Sequence, residues 1–139
     1  VVEVGKYIRE GWYNAIKALN VGDVWDETNV KEETNPYFVL STQTEASFDD
    51  DEHFNRTATI LIKCVGFGSV AVGKSKAESI GIPLLGLVPD KQTQPFSLSA
   101  NGLNLLSTVL ESTNTLVFDA KDKVYVTKLY RFKHQIEQI

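Results

Sequence analysis

The segment from Thr57 to Val65 (Thr-Ala-Thr-Ile-Leu-Ile-Lys-Cys-Val) constrains this chain most. A run this rich in β-branched side chains loses χ1 freedom in a helix and packs well on a pleated surface, so it predicts a long strand. A strand so apolar needs paired neighbours, and several are legible. Pro36-Tyr37-Phe38-Val39-Leu40 reads as a strand with proline at its first position, where no ladder donor is needed, and strand character continues toward Thr44. Between the two lies Phe48-Asp49-Asp50-Asp51-Glu52, poor in anything a core could use, so the pair predicts an extended hairpin with an acidic loop. Val124, Val126, Tyr130, Phe132 and Ile136 recur with a period of two and predict a final strand. Thr108–Val109 and Thr115–Phe118 also read as strand, interrupted at Ser112-Thr113-Asn114, with a turn over Asp119–Asp122.

Two segments follow helical spacing. In residues 4–19, Ile8, Trp12, Ala15, Ile16 and Leu19 share one face, with Gly22 as the stop signal. Residues 66–73 read as a loop, and Ser75 to about Val88 as a second helix, kinked or broken early at Gly81 and Pro83. Residues 89–101 read as irregular, with a short strand at Phe96–Leu98, and Val24-Trp25 as another short strand. The order predicts a single α+β domain over residues 1–139: a mixed, mainly antiparallel sheet with two helices packed on one face.

The net charge of −4 argues against a surface built to grip phosphates over a wide area. Cys64 is the sole cysteine, so no intrachain disulfide forms, and its apolar surroundings predict a buried, inert thiol. No apolar stretch reaches membrane-span length, and no membrane partner is expected. The chain has no Met, so Val1 reads as a processed or trimmed start, without a signal-peptide pattern.

Gly68-Ser69-Val70-Ala71-Val72-Gly73-Lys74-Ser75 matches G-x-x-x-x-G-K-[ST] in full. In a P-loop such amides cradle phosphates, the lysine meets the β/γ-phosphates and the serine holds Mg²⁺. The wording is similar to the loops of P-loop metabolite kinases, and Thr115-Leu116-Val117-Phe118-Asp119 imitates the apolar run and aspartate that would complete the metal site. The alternative function is therefore a small P-loop nucleotide-binding protein or kinase. Three features oppose it. The 64 residues after Ser75 hold too few strand–helix–strand units, at about 30 residues each. Ser75-Lys76-Ala77-Glu78 reads as a capping box, in which Ser75 and Glu78 satisfy the helix start and the hydroxyl is taken from Mg²⁺. The first 65 residues also have no place ahead of a P-loop's opening strand. Gly68, Gly73, Lys74 and Ser75 are thus read as structural, and no cofactor is expected.

His53 and His134 lack cysteine or histidine at ligand spacing, so no metal site is expected and both are read as surface residues. No serine nucleophile elbow or Cys/His pairing is visible, so no catalytic residue is assigned. Asp49, Asp50, Asp51 and Glu52 lack the alternation and glycine of a calcium loop. They read as a solvated loop, or as a surface facing something negative that must not stick.

Taken along its length, the chain resembles the tail terminator, or tail completion, proteins of long-tailed bacteriophages. The resemblance lies in the opening helix ending near Leu19, Val24-Trp25-Asp26, and the Asn35-Pro36-Tyr37-Phe38-Val39-Leu40 strand with its acidic loop at 45–56. It continues through the long strand 57–65, a helix carrying Lys76-Ala77-Glu78-Ser79-Ile80, and a closing hairpin ending in Leu129-Tyr130-Arg131-Phe132. Gly81, Pro83 and the length of 89–107 depart from the pattern. The resemblance implies a non-enzymatic virion protein, assembled in the host cytoplasm and resident at the head–tail junction. It implies a ring, usually a hexamer, on the major tail tube protein, docking a head connector or stopper protein, with DNA passing through without specific binding. In that setting Asp49–Glu52 becomes a candidate lumen or interface loop.

Overall fold

The computed structural model describes residues 4–26, 35–49, 54–90, 93–119 and 122–138. Helix α1 (Gly5–Leu19) is followed by β1 (Asp23–Asp26), β2 (Tyr37–Asp49) and β3 (Phe54–Gly68), then α2 (Val70–Leu85), β4 (Leu103–Asp119) and β5 (Val124–Gln138). The strands form one sheet in the order β1-β2-β3-β5-β4. Among the described residues only the β1–β2 pair is parallel. The fold is α+β with a mixed, mainly antiparallel sheet, as the strand patterns predict.

The side-chain alternation of β3 and β5 sets the layers. Ile60, Ile62 and Cys64 on β3 and Val126, Tyr130, Phe132, His134 and Ile136 on β5 share one parity, and all are buried. Both helices lie against that face: Trp12 of α1 packs on Phe132 with ring centroids 4.6 Å apart, and Gly73 and Gly81 of α2 lie over Val126 and Tyr130. The α1 face of Ile8, Trp12 and Ile16 is fully buried, as its spacing predicts. The helix ends with Asn20 in the left-handed conformation (φ 54°), ahead of Gly22.

Several boundaries depart from the sequence expectations. The segment 66–73 is not a loop, since β3 runs on to Gly68 and α2 begins at Val70. Gly66 sits in that strand because α2 crosses it closely; a Cβ there would lie 2.2 Å from the Gly73 carbonyl oxygen and 2.6 Å from the Ala77 amide nitrogen. Helix α2 also continues through Pro83 to Leu85. Gly81 is the point of contact with Tyr130, whose hydroxyl would lie 2.7 Å from an added Cβ. No strand forms at Phe96–Leu98; a short 3₁₀ turn follows at Ser99–Asn101. The expected break at Ser112-Thr113-Asn114 is absent, and β4 is one strand with register shifts beside Leu106 and Glu111. Those shifts are β-bulges, which keep an edge strand paired while its pleat changes phase.

Candidate interaction surfaces

The phosphate-loop look-alike has a defined geometry. A single residue, Ser69, joins β3 to α2; its side chain accepts from the Val72 amide at 3.2 Å, and its carbonyl accepts from the Gly73 amide at 2.8 Å. Val70 to Ser75 therefore form the opening turns of the helix. A P-loop needs several amides pointing into an open concavity between strand and helix. Here the connection has no room for one. Lys74 and Ser75 lie on the helix's exposed side, and Gly73 is buried against Val126.

The capping box placed at Ser75 and Glu78 is corrected by the same geometry. The cap is Ser69, so Ser75 lies inside the helix, and Glu78 forms an ion pair with Lys128 of β5 at 3.3 Å. Sequence reasoning missed Ser69 because Gly73 looked like a loop glycine, whereas its role is close helix–sheet packing.

His134 is the second correction. It is fully buried, not at the surface. Its Nε2 accepts a hydrogen bond from Trp12 Nε1–H at 2.8 Å, which assigns the ring proton to Nδ1, and Nδ1–H donates to the Ala58 carbonyl at 2.8 Å. Burial lowers its pKa from 6.5 to about 4, with the Ala58 hydrogen bond opposing in part. The imidazole is therefore neutral, and it ties α1 to the two central strands. Its parity with Phe132 and Ile136 was the available sequence signal. Cys64 is buried as expected; desolvation pushes its thiol far above the ordinary range, with Lys128 opposing in part.

Among the described residues no group of three or more His, Cys, Asp or Glu could hold a metal. No described helix is long and apolar enough to cross a membrane. The cavities are shallow, such as a hollow of about 260 Å³ beside α1 lined by Arg9, Tyr13, Asp26 and Leu40, where Arg9 and Asp26 stand 3.8 Å apart.

What the fold offers instead is surface. Among the described residues, both helices lie on one sheet face. Strand β4 is an edge, and residues 111–119 are exposed on both faces, including Leu116, Val117 and Phe118 at 53–66%. The β2–β3 hairpin is paired all the way from Tyr37↔Val65 to Asp49↔Phe54. Asp49 ends β2, while Asp50, Asp51, Glu52 and His53 lie outside the described residues. Where the hairpin leaves α1, Glu45 accepts from the Val4 amide at 3.1 Å and pairs with the nearly buried Arg56, which anchors the hairpin to the helix start.

No protein-family description matches this chain, and no curated protein does. Among solved structures, the chain is similar to one from the "Virion of native gene transfer agent (GTA) particle". The TM-score is 0.57 and the identity 14%, and the match covers 92% of this chain and 94% of that one. At that identity the likeness is one of fold, end to end over both chains.

Proposed function

We propose that this chain is a structural subunit of a phage-like virion, assembling as a ring at the head–tail junction. The observation that carries this reading is the fold likeness to a virion chain over nearly the full length of both. A fold alone does not fix function. The surfaces add weight: a long edge strand with exposed apolar residues and a long hairpin paired as far as Asp49 are features of a subunit that binds neighbours. In this reading the ring caps the tail tube, its other face docks a connector or stopper protein, and DNA moves through the opening. The role is non-enzymatic and needs no cofactor, and the protein resides in the virion.

The test is the shape of the assembled protein. Light scattering on eluting peaks and negative-stain images, with the chain alone and mixed with purified tail tubes, are expected to show a ring of about six copies. A chain that stays monomeric alone and leaves tube ends bare would refute the reading. Rings that bind connector and ignore tubes would reassign it to the head side of the neck.

A further inference from the structure

Strand β4 changes character along its length. Leu103, Leu105 and Thr108 are buried, whereas residues 111–119 are exposed on both faces, beyond α2, which lies over β3 and β5. Natural edge strands are blunted by charge, proline or brevity. Over Ser112–Phe118 this edge has none of these: Ser-Thr-Asn-Thr-Leu-Val-Phe holds no charged residue and no proline, and the bulges of β4 lie before it. Leu116, Val117 and Phe118 are each more than half exposed. The backbone is free to pair as well. The Thr115 amide donates to the Asn114 side-chain carbonyl at 2.8 Å, so it faces away from β5. By the alternation of an antiparallel ladder, the amides and carbonyls of Thr113, Val117 and Asp119 face the same way. Among the described residues the sheet supplies no strand on that side.

The complement of such an edge is another strand, and the same segment of a second copy fits it. Strand β1, at the opposite end of the sheet order, spans only Asp23–Asp26 and carries a carboxylate at each end. Pairing of β4 with β4 meets no charge along Ser112–Phe118, and the flanking residues select the register. With Thr115 opposite Thr115, Glu111 of each copy would face Asp119 of the other, and like charges directly opposite oppose pairing. With Val117 opposite Val117, the described overlap shrinks to Thr115–Asp119. With Leu116 opposite Leu116, Thr113 faces Asp119, Asn114 faces Phe118 and Thr115 faces Val117, so no like charges meet. In that register the outward amides and carbonyls of one copy meet those of the other, and Phe118 lies diagonally from the partner copy's leucine. No helix obstructs the approach, because residues 111–119 are uncovered in both copies.

We infer that the Thr113–Asp119 edge of β4 docks on the same edge of a second copy, antiparallel about a two-fold axis at Leu116, so that one sheet runs through both copies. The inference goes beyond the ring reading above. A self-complementary contact closes at two, so it joins copies in pairs and leaves ring closure to other surfaces. Strands of this length bury less than the roughly 800 Å² per partner of a standard interface, so the pairing is reversible and concentration-dependent.

The test is cysteine crosslinking of the full chain, with sedimentation velocity over a range of concentrations. Cys64 is buried and stays out of the reaction. The two Leu116 positions form a pair without ladder bonds between them, with Cα atoms about 4.5 Å apart, inside the span of about 4.4–6.8 Å that a disulfide bridges. Leu116→Cys is therefore expected to give a covalent dimer under mild oxidation, and Thr115→Cys and Val117→Cys far less. In sedimentation the natural chain is expected to pair as concentration rises. Val117→Pro removes an outward amide and spares the β5 ladder, and Leu116→Lys sets two cations opposite each other at the axis. Each is expected to weaken pairing about tenfold or more at an unchanged melting temperature. Four results overturn the inference. The first is a natural chain that stays monomeric and a Leu116→Cys chain that gives no crosslink. A crosslink strongest at Thr115→Cys or Val117→Cys refutes the register. Association that survives both Val117→Pro and Leu116→Lys places the contact elsewhere. Loss of tail-tube binding in those two variants, with no pairing of the natural chain, gives the edge to the tube protein. The crosslink needs no tail tube, so it stands or falls separately from the ring reading.

Discussion

Replacing His134 with Leu should both destabilise the protein and flatten its response to acid. The structure sets both magnitudes. The substitution leaves Trp12 Nε1–H, inside a fully buried side chain, without its acceptor and takes a donor from the Ala58 carbonyl. Each unsatisfied buried group costs about 1–3 kcal/mol, so a total loss of about 2–6 kcal/mol is expected at neutral pH. That is a large share of a domain's usual stability of about 5–15 kcal/mol.

The acid response follows from linkage. The folded imidazole titrates at about 4 and the unfolded one at 6.5, so between those values the unfolded chain binds more protons. His134's contribution is thus fully present above pH 6.5 and is lost as pH falls toward 4. Between about pH 7.5 and pH 5 the natural chain should lose about 2 kcal/mol from this residue alone, and the Leu variant none of it. Urea denaturation at several pH values, with unchanged m-values as the two-state check, measures the difference. His53 and the carboxylates are common to both chains and cancel. Parallel stability–pH curves for the two proteins would refute the buried neutral histidine. A double-mutant cycle with Trp12→Phe should return a coupling of about 1 kcal/mol or more for the pair.

Three other expectations follow from packing and caps. Ser69→Ala should cost about 1 kcal/mol and Ser75→Ala less than about 0.5 kcal/mol, because Ser69 alone caps α2; the reverse order in chemical denaturation would restore the capping box. Gly66→Ala should cost about 3 kcal/mol, since its Cβ meets backbone atoms that cannot move aside. Gly81→Ala should cost about 1–2 kcal/mol and be relieved in a Tyr130→Phe background, because the nearest atom is the tyrosine hydroxyl. Mg-ATP should leave the melting temperature of the natural chain and of Lys74→Ala unchanged; a stabilisation lost in Lys74→Ala would revive the nucleotide reading, since a ligand that binds the folded state raises its stability.

The sequence by itself determined the elements whose pattern repeats against a core. The Ile8–Trp12–Ile16 stripe of α1, the β-branched β3 and the alternation of β5 were legible because one face of each must be buried, and burial imposes a period. Even His134 obeys that period, although its chemistry suggested a surface place. Strand β4 was only half legible: over Glu111–Asp119 it is exposed on both faces, so nothing imposes alternation, and backbone pairing with β5 alone holds it extended. The glycines misled for the same reason. Gly66 and Gly73 looked like flexible loop residues, and only the crossing of α2 over β3 shows that they are required for close approach. A full P-loop spelling became a helix start because the tertiary packing of α2 fixed where the helix begins. Sequence fixes what must be buried; only the folded sheet decides which remaining surfaces face the same way.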